Sequence, residues 1–268
     1  MNEDEIQQAL IDLLTQHNAY LQRLSSSAVN EILVRFDSVT SEALGQLLQQ
    51  MNDLEDAELA ILMSGRYTTP TLKQIQVSIN DLQQSISVQL PEIMTASSVA
   101  LTAYEAAYIY RIADKKVPAI DGESLYKQVK RKPYAGGQLV DQIFPNIAQN
   151  LRKKIEYVVR DGISNGQTNQ QIIQRIKGTK RLKYADGLLN ESRNHIDAEV
   201  RTARAHVSSV VYSDTWKALG FDYVRDVATL DGCTSLYCAS IDGRIQKADG
   251  TQKKPCLLYT SLMARGRR

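Results

Sequence analysis

Few residues in this chain are of the kinds that make a function easy to find. Cysteine is scarce, three in 268 residues. The odd number excludes a fully paired disulfide framework and makes a reducing compartment the default. Aromatic residues make up 6% of the chain and are mostly tyrosine, with one tryptophan and three phenylalanines. Thin cores between polar helices are expected, not a compact enzyme body packed on aromatics. No apolar run approaches the ~20 residues of a membrane span. The acidic start Met1-Asn2-Glu3-Asp4-Glu5 lacks the features of a secretory signal. The expectation is therefore a protein made and assembled in a cytoplasm, with no membrane partner. A Gly-rich phosphate loop, an H-E-x-x-H pair and a G-x-S-x-G elbow are all missing, which removes the most legible enzyme classes.

Charge is balanced overall but not along the chain. The net charge is +2, yet residues 1–120 hold 15 acids and 7 bases while residues 121–268 hold 15 acids and 25 bases. The front repels a polyanion and the back attracts one. Within the back half, Lys130, Arg131 and Lys132, and then Lys180, Arg181 and Lys183, are the candidate nucleic-acid contacts; a solvated basic surface is the plain alternative.

Apolar spacing reads as helix after helix. Ile6, Leu10, Leu13 and Leu14 share one face, and Leu44, Leu47, Leu48 and Met51 repeat the pattern after a cap at Thr40-Ser41. Leu72, Ile75, Ile79, Leu82 and Ile86 step by three and four, a heptad-like seam most simply paired within the chain. Pro91 suits a helix start, and Val99, Ala103, Ala106, Ala107 and Tyr110 give the next helix a small-residue face. Lys115 to Gly122 reads as a loop, followed by an irregular basic segment. Ile147, Leu151, Ile155, Val158, Val159 and Ile163 form a stripe ended by Asn165-Gly166. Thr168-Asn169-Gln170-Gln171 is a capping box opening a short helix that closes at Gly178. A last long helix runs from about Ser192 to Leu219, with Val200, Ala203, Val207, Val210 and Val211 inward. His195, Glu199, Arg201, Thr202 and Arg204 cluster near its start. Phe221–Ile245 then reads as a small β-element, with Asp231-Gly232 and Asp242-Gly243 as hairpin turns.

The fold expected is mainly α: a helical N-terminal region followed by a small α+β C-terminal domain with a β-hairpin. The divisions are an acidic helical region at 1–120, a basic connecting segment at 121–144, a C-terminal domain at 145–248 and an irregular basic tail at 249–268.

The densest chemistry lies in Val227–Gly243. Cys233 and Cys238 stand in C-x4-C spacing, one edge of a metal site, and Cys256 is a third weak candidate. A structural zinc needs four ligands, no histidine follows Cys238, and the nearest, His206, lies upstream. The plain reading is small buried residues and no metal. Asp231 and Asp242, each before a glycine, read as turn residues before they read as an acid and a base. Arg201 and Arg204 share a helix face, with Asp197, Glu199 or Asp231 as pairing partners.

Three segments in order carry a resemblance: G-Q-T-N-Q-Q-I-I-Q-R-I (Gly166–Ile176), V-R-T-A-R-A-H (Val200–His206) running to W-K-A-L-G (Trp216–Gly220), and L-D-G-C-T-S-L-Y-C-A-S-I-D-G (Leu230–Gly243). Over roughly residues 145–245 the chain resembles the Mu F-like minor head proteins, or head morphogenesis proteins, of tailed bacteriophages. That family shows an Arg-Thr-Glu-like helix, then D-x-x-T-S-x-x-C and a D-G. Arg201, Thr202, Asp231, Thr234, Ser235, Cys238, Asp242 and Gly243 match it. Ala203 stands where the family often has an acid. Lys253-Lys254-Pro255-Cys256 runs into Leu257-Leu258-Tyr259-Thr260-Ser261, without the family's His-containing ending, so a Cys/His metal site of the family would lack a ligand here.

The resemblance implies a non-enzymatic structural protein of the virion, at the capsid interior or portal vertex. It would assist procapsid assembly, genome packaging or DNA delivery, without a cofactor. Its partners would be the portal protein, the major capsid or scaffolding protein, and packaged DNA. Two other readings stay open: a thiol- or metal-dependent hydrolase using Cys233 or Cys238 with Asp231, and a DNA-binding protein acting through the basic back half.

Overall fold

The computed structural model describes residues 3–221, 223–225 and 235–247. The fold is mainly α. In order come α1 (Glu3–Asn52), α2 (Asp56–Met63), α3 (Pro70–Ile112), α4 (Gly122–Lys130), α5 (Ile143–Ser164), α6 (Asn169–Lys177), α7 (Leu188–Ala218), β1 (Tyr223–Arg225), α8 (Leu236–Ser240) and β2 (Ile245–Lys247). No described helix is long and apolar enough to cross a membrane.

The expected β-hairpin domain is not found among the described residues. β1 and β2 pair antiparallel, Tyr223 opposite Lys247 and Arg225 opposite Ile245, but residues 226–244 separate them and α8 lies in that interval. A hairpin joins its strands through a few residues; here the Asp242-Gly243 turn joins a helix to a strand. Gly243 takes a φ of 75°, and the Arg244 N–H donates to the Ile241 carbonyl at 3.1 Å. Leu236, Cys238 and Ala239, read as part of a β-element, belong to α8. Asp231-Gly232 lies outside the described residues.

Three further expectations change. Thr40-Ser41 is interior to α1, not a cap: Thr40 is buried, and its hydroxyl donates back to the Phe36 carbonyl at 2.8 Å, the bond that lets threonine sit inside a helix. Pro91 lies within α3 rather than at its start. The apolar seam continues across it through Leu90 and Met94, both buried, and packing there outweighs the missing N–H. The segment read as irregular opens with α4. Asp121, within the stretch read as a loop, is its N-cap, accepting from the amides of Glu123 and Ser124 at 3.1 Å each.

The chain forms two compact units, each assembled from separated segments. One comprises the described residues of 1–27, 97–132 and 202–247; the other comprises 28–96 and 133–201. In the second unit the seam Leu72, Ile75, Ile79, Leu82 and Ile86 is buried as expected, together with Ile32, Phe36, Leu47 and Met51 of α1 and Ile143, Phe144, Ile147, Leu151, Ile155 and Val159 of α5. The α5 helix packs on α2 and α6, and Gln50 of α1 donates to Ser78 of α3 at 2.8 Å.

In the first unit Leu21, Leu101, Ala106, Tyr126, Val129, Val207 and Val211 make a small apolar cluster. The α3 face buried here includes Ala106 of the small-residue face expected, with Val99 partly buried against the cluster. It runs through Ser98, Leu101, Thr102, Glu105 and Ile109. The α4 helix rests close on it: a Cβ on Gly122 would lie 2.6 Å from the Val99 carbonyl, and the Thr102 hydroxyl donates to the Gly122 carbonyl at 2.9 Å.

Candidate functional site

The capping box read at Thr168 is present and launches α6. Thr168 Oγ1 accepts from the Gln171 amide at 3.2 Å, and Gln171 Oε1 accepts from the Thr168 amide at 2.8 Å. Ile172 and Ile176 are buried, and Arg175 of the same helix pairs with Asp161 of α5 at 2.7 Å. The helix ends at Gly178, whose φ of 92° suits a residue without a Cβ. An added Cβ there would lie 2.7 Å from the Tyr184 carbonyl oxygen.

That close crossing shuts a tight loop from Gly178 to Gly187. Asp186 clamps it, accepting from the Thr179 amide at 2.8 Å and from the Thr179 hydroxyl at 2.9 Å. These bonds, the amide foremost, hold the Asp186 carboxyl below the usual carboxylate range, with help from the nearby Arg181 charge. Lys183 and Tyr184 both sit in the left-handed region, at φ 51° and 64°, a conformation that non-glycine residues keep only when their surroundings impose it. Lys180, Arg181 and Lys183 are exposed on this loop, and the Lys177 ammonium lies 5.7 Å from the Tyr184 ring centre.

The other basic group, Lys130 to Lys132, lies at the end of α4 in the first unit. Arg131 is exposed, whereas Lys130 lies 5.6 Å from the Tyr126 ring centre. Lys132 pairs with Asp214 at 2.7 Å, and its carbonyl accepts from His206 Nε2 at 3.0 Å. Burial lowers the His206 pKa from the ordinary 6.5, opposed by the hydrogen bond to Lys132.

The family-motif residues are placed as follows. Arg201 Nε donates to Asp197 at 2.9 Å, one of the partners expected for it. Thr202 follows on α7, and Arg204 is buried, donating to Ser97 at 3.0 Å. Ser235 immediately precedes α8, its carbonyl accepting from the Ala239 amide at 3.0 Å. Cys238 belongs to α8, and Asp242 and Gly243 form the turn after it. Asp231, Cys233, Thr234 and Cys256 lie outside the described residues. Among the described residues, no three His, Cys, Asp or Glu side chains gather where they could hold a metal ion.

Two arrangements were not read from the sequence. In the first unit His17 Nε2 and Glu105 Oε2 lie 3.0 Å apart, with both side chains at most 4% exposed. The Tyr108 ring stacks on His17 at 3.6 Å. Burial, with the neighbouring Tyr104, Tyr212 and Glu105 adding to it, raises the Tyr108 hydroxyl to about 12. In the second unit an open cavity of about 260 Å³ lies between α5 and α7, lined by Asn146, Gln149, Asn150, His195 and Glu199 among others. Tyr134 donates to Glu199 Oε2 at 2.6 Å, and burial followed by that bond pushes the phenol pKa up. The i, i+4 spacing of His195 and Glu199 is visible in the sequence. Tyr134, 65 positions from its partner, carries no local signal.

Comparison with known proteins finds nothing: no family model, no curated protein and no solved structure matches this chain.

Proposed function

We propose that this chain is a structural minor head protein of a tailed bacteriophage. It acts inside the capsid or at the portal vertex, in procapsid assembly, genome packaging or DNA delivery, and has no catalytic role. The ordered set of motifs from Gly166 to Gly243 carries the reading. Two helices follow that order: α6, opened by its capping box, and then α7, bearing Arg201 and Thr202. The partners are the portal protein and the major capsid or scaffolding protein. The test is co-expression of the tagged chain with the portal and major capsid proteins of the same phage. Retention of portal through a salt wash is expected; recovery of neither protein overturns the proposal.

Contact with packaged DNA is the second part of the reading. The observation in its favour is the clamped loop Gly178–Gly187, which keeps Lys180, Arg181 and Lys183 exposed. Three phosphate contacts give a logarithmic salt slope of about −3 on duplex DNA. Replacing the three by glutamine should remove most of that slope; a slope unchanged in the triple variant rules this loop out.

A further inference from the structure

We propose that His195 and Glu199 form a binding site for a divalent transition-metal ion, with the carboxamide side chains of the same cavity and water completing the coordination. The inference does not rest on the assembly role above. His195 Nε2 and Glu199 Oε1 lie one turn apart on α7, separated by 3.4 Å. Two ligand atoms held about 2.1 Å from a tetrahedral ion are about 3.4 Å apart, so the pair already stands at the spacing of one edge of such a site. A plain helical ion pair also tolerates this distance, and two further features point beyond one.

The first is the other half of the carboxylate. Tyr134 donates to Glu199 Oε2 at 2.6 Å, so one oxygen is fixed from behind while Oε1 faces the imidazole. A hydrogen bond to the non-ligating oxygen is how outer residues orient a metal-binding carboxylate. The second is the cavity that the pair borders. Gln138, Asn146 and Asn150 line it along with His195 and Glu199, supplying neutral oxygen donors without a competing cation. The His195 side chain is half exposed, and Glu199 much less so, which leaves an entry path on the imidazole side.

The donor set selects the ion. One imidazole nitrogen, one carboxylate and neutral oxygens suit Zn2+, Co2+ or Ni2+. Mg2+ and Ca2+ prefer all-oxygen shells, and Cu+ prefers sulfur. With only two strong protein ligands the site is open, and binding is weaker than at a closed four-ligand site.

The full chain, stripped with chelator, is titrated with Co2+ and Zn2+ by calorimetry and by visible absorption, with Mg2+ as the control. One Co2+ per chain is expected, displaced by Zn2+ and indifferent to Mg2+. His195→Ala and Glu199→Gln should each weaken binding at least tenfold, and Tyr134→Phe by about tenfold. His195 is exposed, and Glu199→Gln keeps the side-chain shape and an oxygen to accept from Tyr134, so circular dichroism should show both variants folded. The proposal is overturned if no stoichiometric Co2+ binds, or if His195→Ala binds as the parent does. A thiolate-to-cobalt charge-transfer band that persists in His195→Ala overturns it too, because the cysteines would then hold the ion.

Discussion

The two units differ in what they bury. In the unit formed by residues 28–96 and 133–201, the large buried side chains are almost all hydrocarbon; among the described residues the buried polar ones are Thr40 and Ser78, and the buried carboxamide oxygens of Gln50 and Gln89 lack a partner. The other unit buries His17, Ser25, Ser98, Thr102, Glu105, Arg204, Ser208 and Thr215 around a modest apolar cluster. Its polar groups are incompletely matched: His17 Nδ1, Glu105 Oε1 and the hydroxyls of Ser98 and Ser208 have no hydrogen-bond partner among the described residues. An apolar core is stabilised in proportion to the area removed from water and tolerates swaps of similar volume. A buried polar core stabilises only while its pairs stay intact, because one removed partner leaves the other desolvated and alone.

The sharpest way to break that contrast is to cut one partner from each core. Glu105→Ala leaves an imidazole buried without its carboxylate and should cost about 3–5 kcal/mol. Phe36→Ala, in the apolar unit, should cost a similar amount through its cavity, about 3–5 kcal/mol. The second changes differ. His17→Leu combined with Glu105→Met removes both polar partners, and should recover most of the loss from Glu105→Ala, since apolar replacement of both members of a buried pair is often neutral or stabilising. Trp216, the single tryptophan, lies in the polar unit, so its fluorescence follows that unit's denaturant transition while circular dichroism follows both. If the double variant is no more stable than Glu105→Ala, the pair is not the liability described.

A smaller effect tests where the apolar unit departs from its own rule. The loop Gly178–Gly187 is held by backbone proximity, not by burial, and a Cβ at Gly178 meets the backbone of Tyr184 and Gly187 within 3 Å. Backbone atoms do not swing aside as a side-chain tip does. Gly178→Ala, strained in φ as well, should therefore cost about 2–3 kcal/mol. Gly136, also at positive φ but with nothing within 4 Å, is the control: alanine there should cost only the conformational strain, about 1 kcal/mol. Equal losses at the two positions would show that the crossing at Gly178 contributes nothing of its own.

The same contrast explains what could be read from the sequence. The seam Leu72 to Ile86, the α5 stripe and the inward valines of α7 announce themselves, because hydrocarbon at helical spacing is a local signal. The capping box at Thr168 is local too. The polar face of α3 is not: Ser98, Thr102 and Glu105 have helical spacing but look solvent-facing until His17, 88 positions away, is brought against Glu105. The helix breaks set at Thr40 and Pro91 failed for a related reason. Local cap and breaker signals were overridden by packing on either side, of Phe36 and Leu44 around Thr40 and of Leu90 and Met94 around Pro91. At the candidate metal pair, the spacing of His195 and Glu199 was legible, but the hydrogen bond from Tyr134 that distinguishes the pair from any other ion pair was not. The C-terminal hairpin was drawn from two Asp-Gly pairs; a turn signal states that the chain reverses, not what it joins.

The smallest expected effect concerns pH, and it falls on the polar unit. His206 has its pKa lowered by burial, so the folded protein favours the neutral ring more than the unfolded chain does. Its contribution to stability is complete above the ordinary value of 6.5. That contribution declines as the pH falls toward the lower folded value, because the unfolded chain takes up the proton first. The ring is only half-buried, so solvent limits the size of the effect. His206→Gln keeps a donor for the Lys132 carbonyl, 3.0 Å away, and cannot titrate. The Trp216-monitored denaturation midpoint of the parent should fall between pH 7.5 and 5.5 by more than that of His206→Gln. The part of the circular-dichroism change not accompanied by the Trp216 signal, which belongs to the apolar unit, should move equally in both proteins. A parent and variant with identical pH dependence would assign the slope to the carboxylates of the chain, and would leave His206 no energetic part in the polar core.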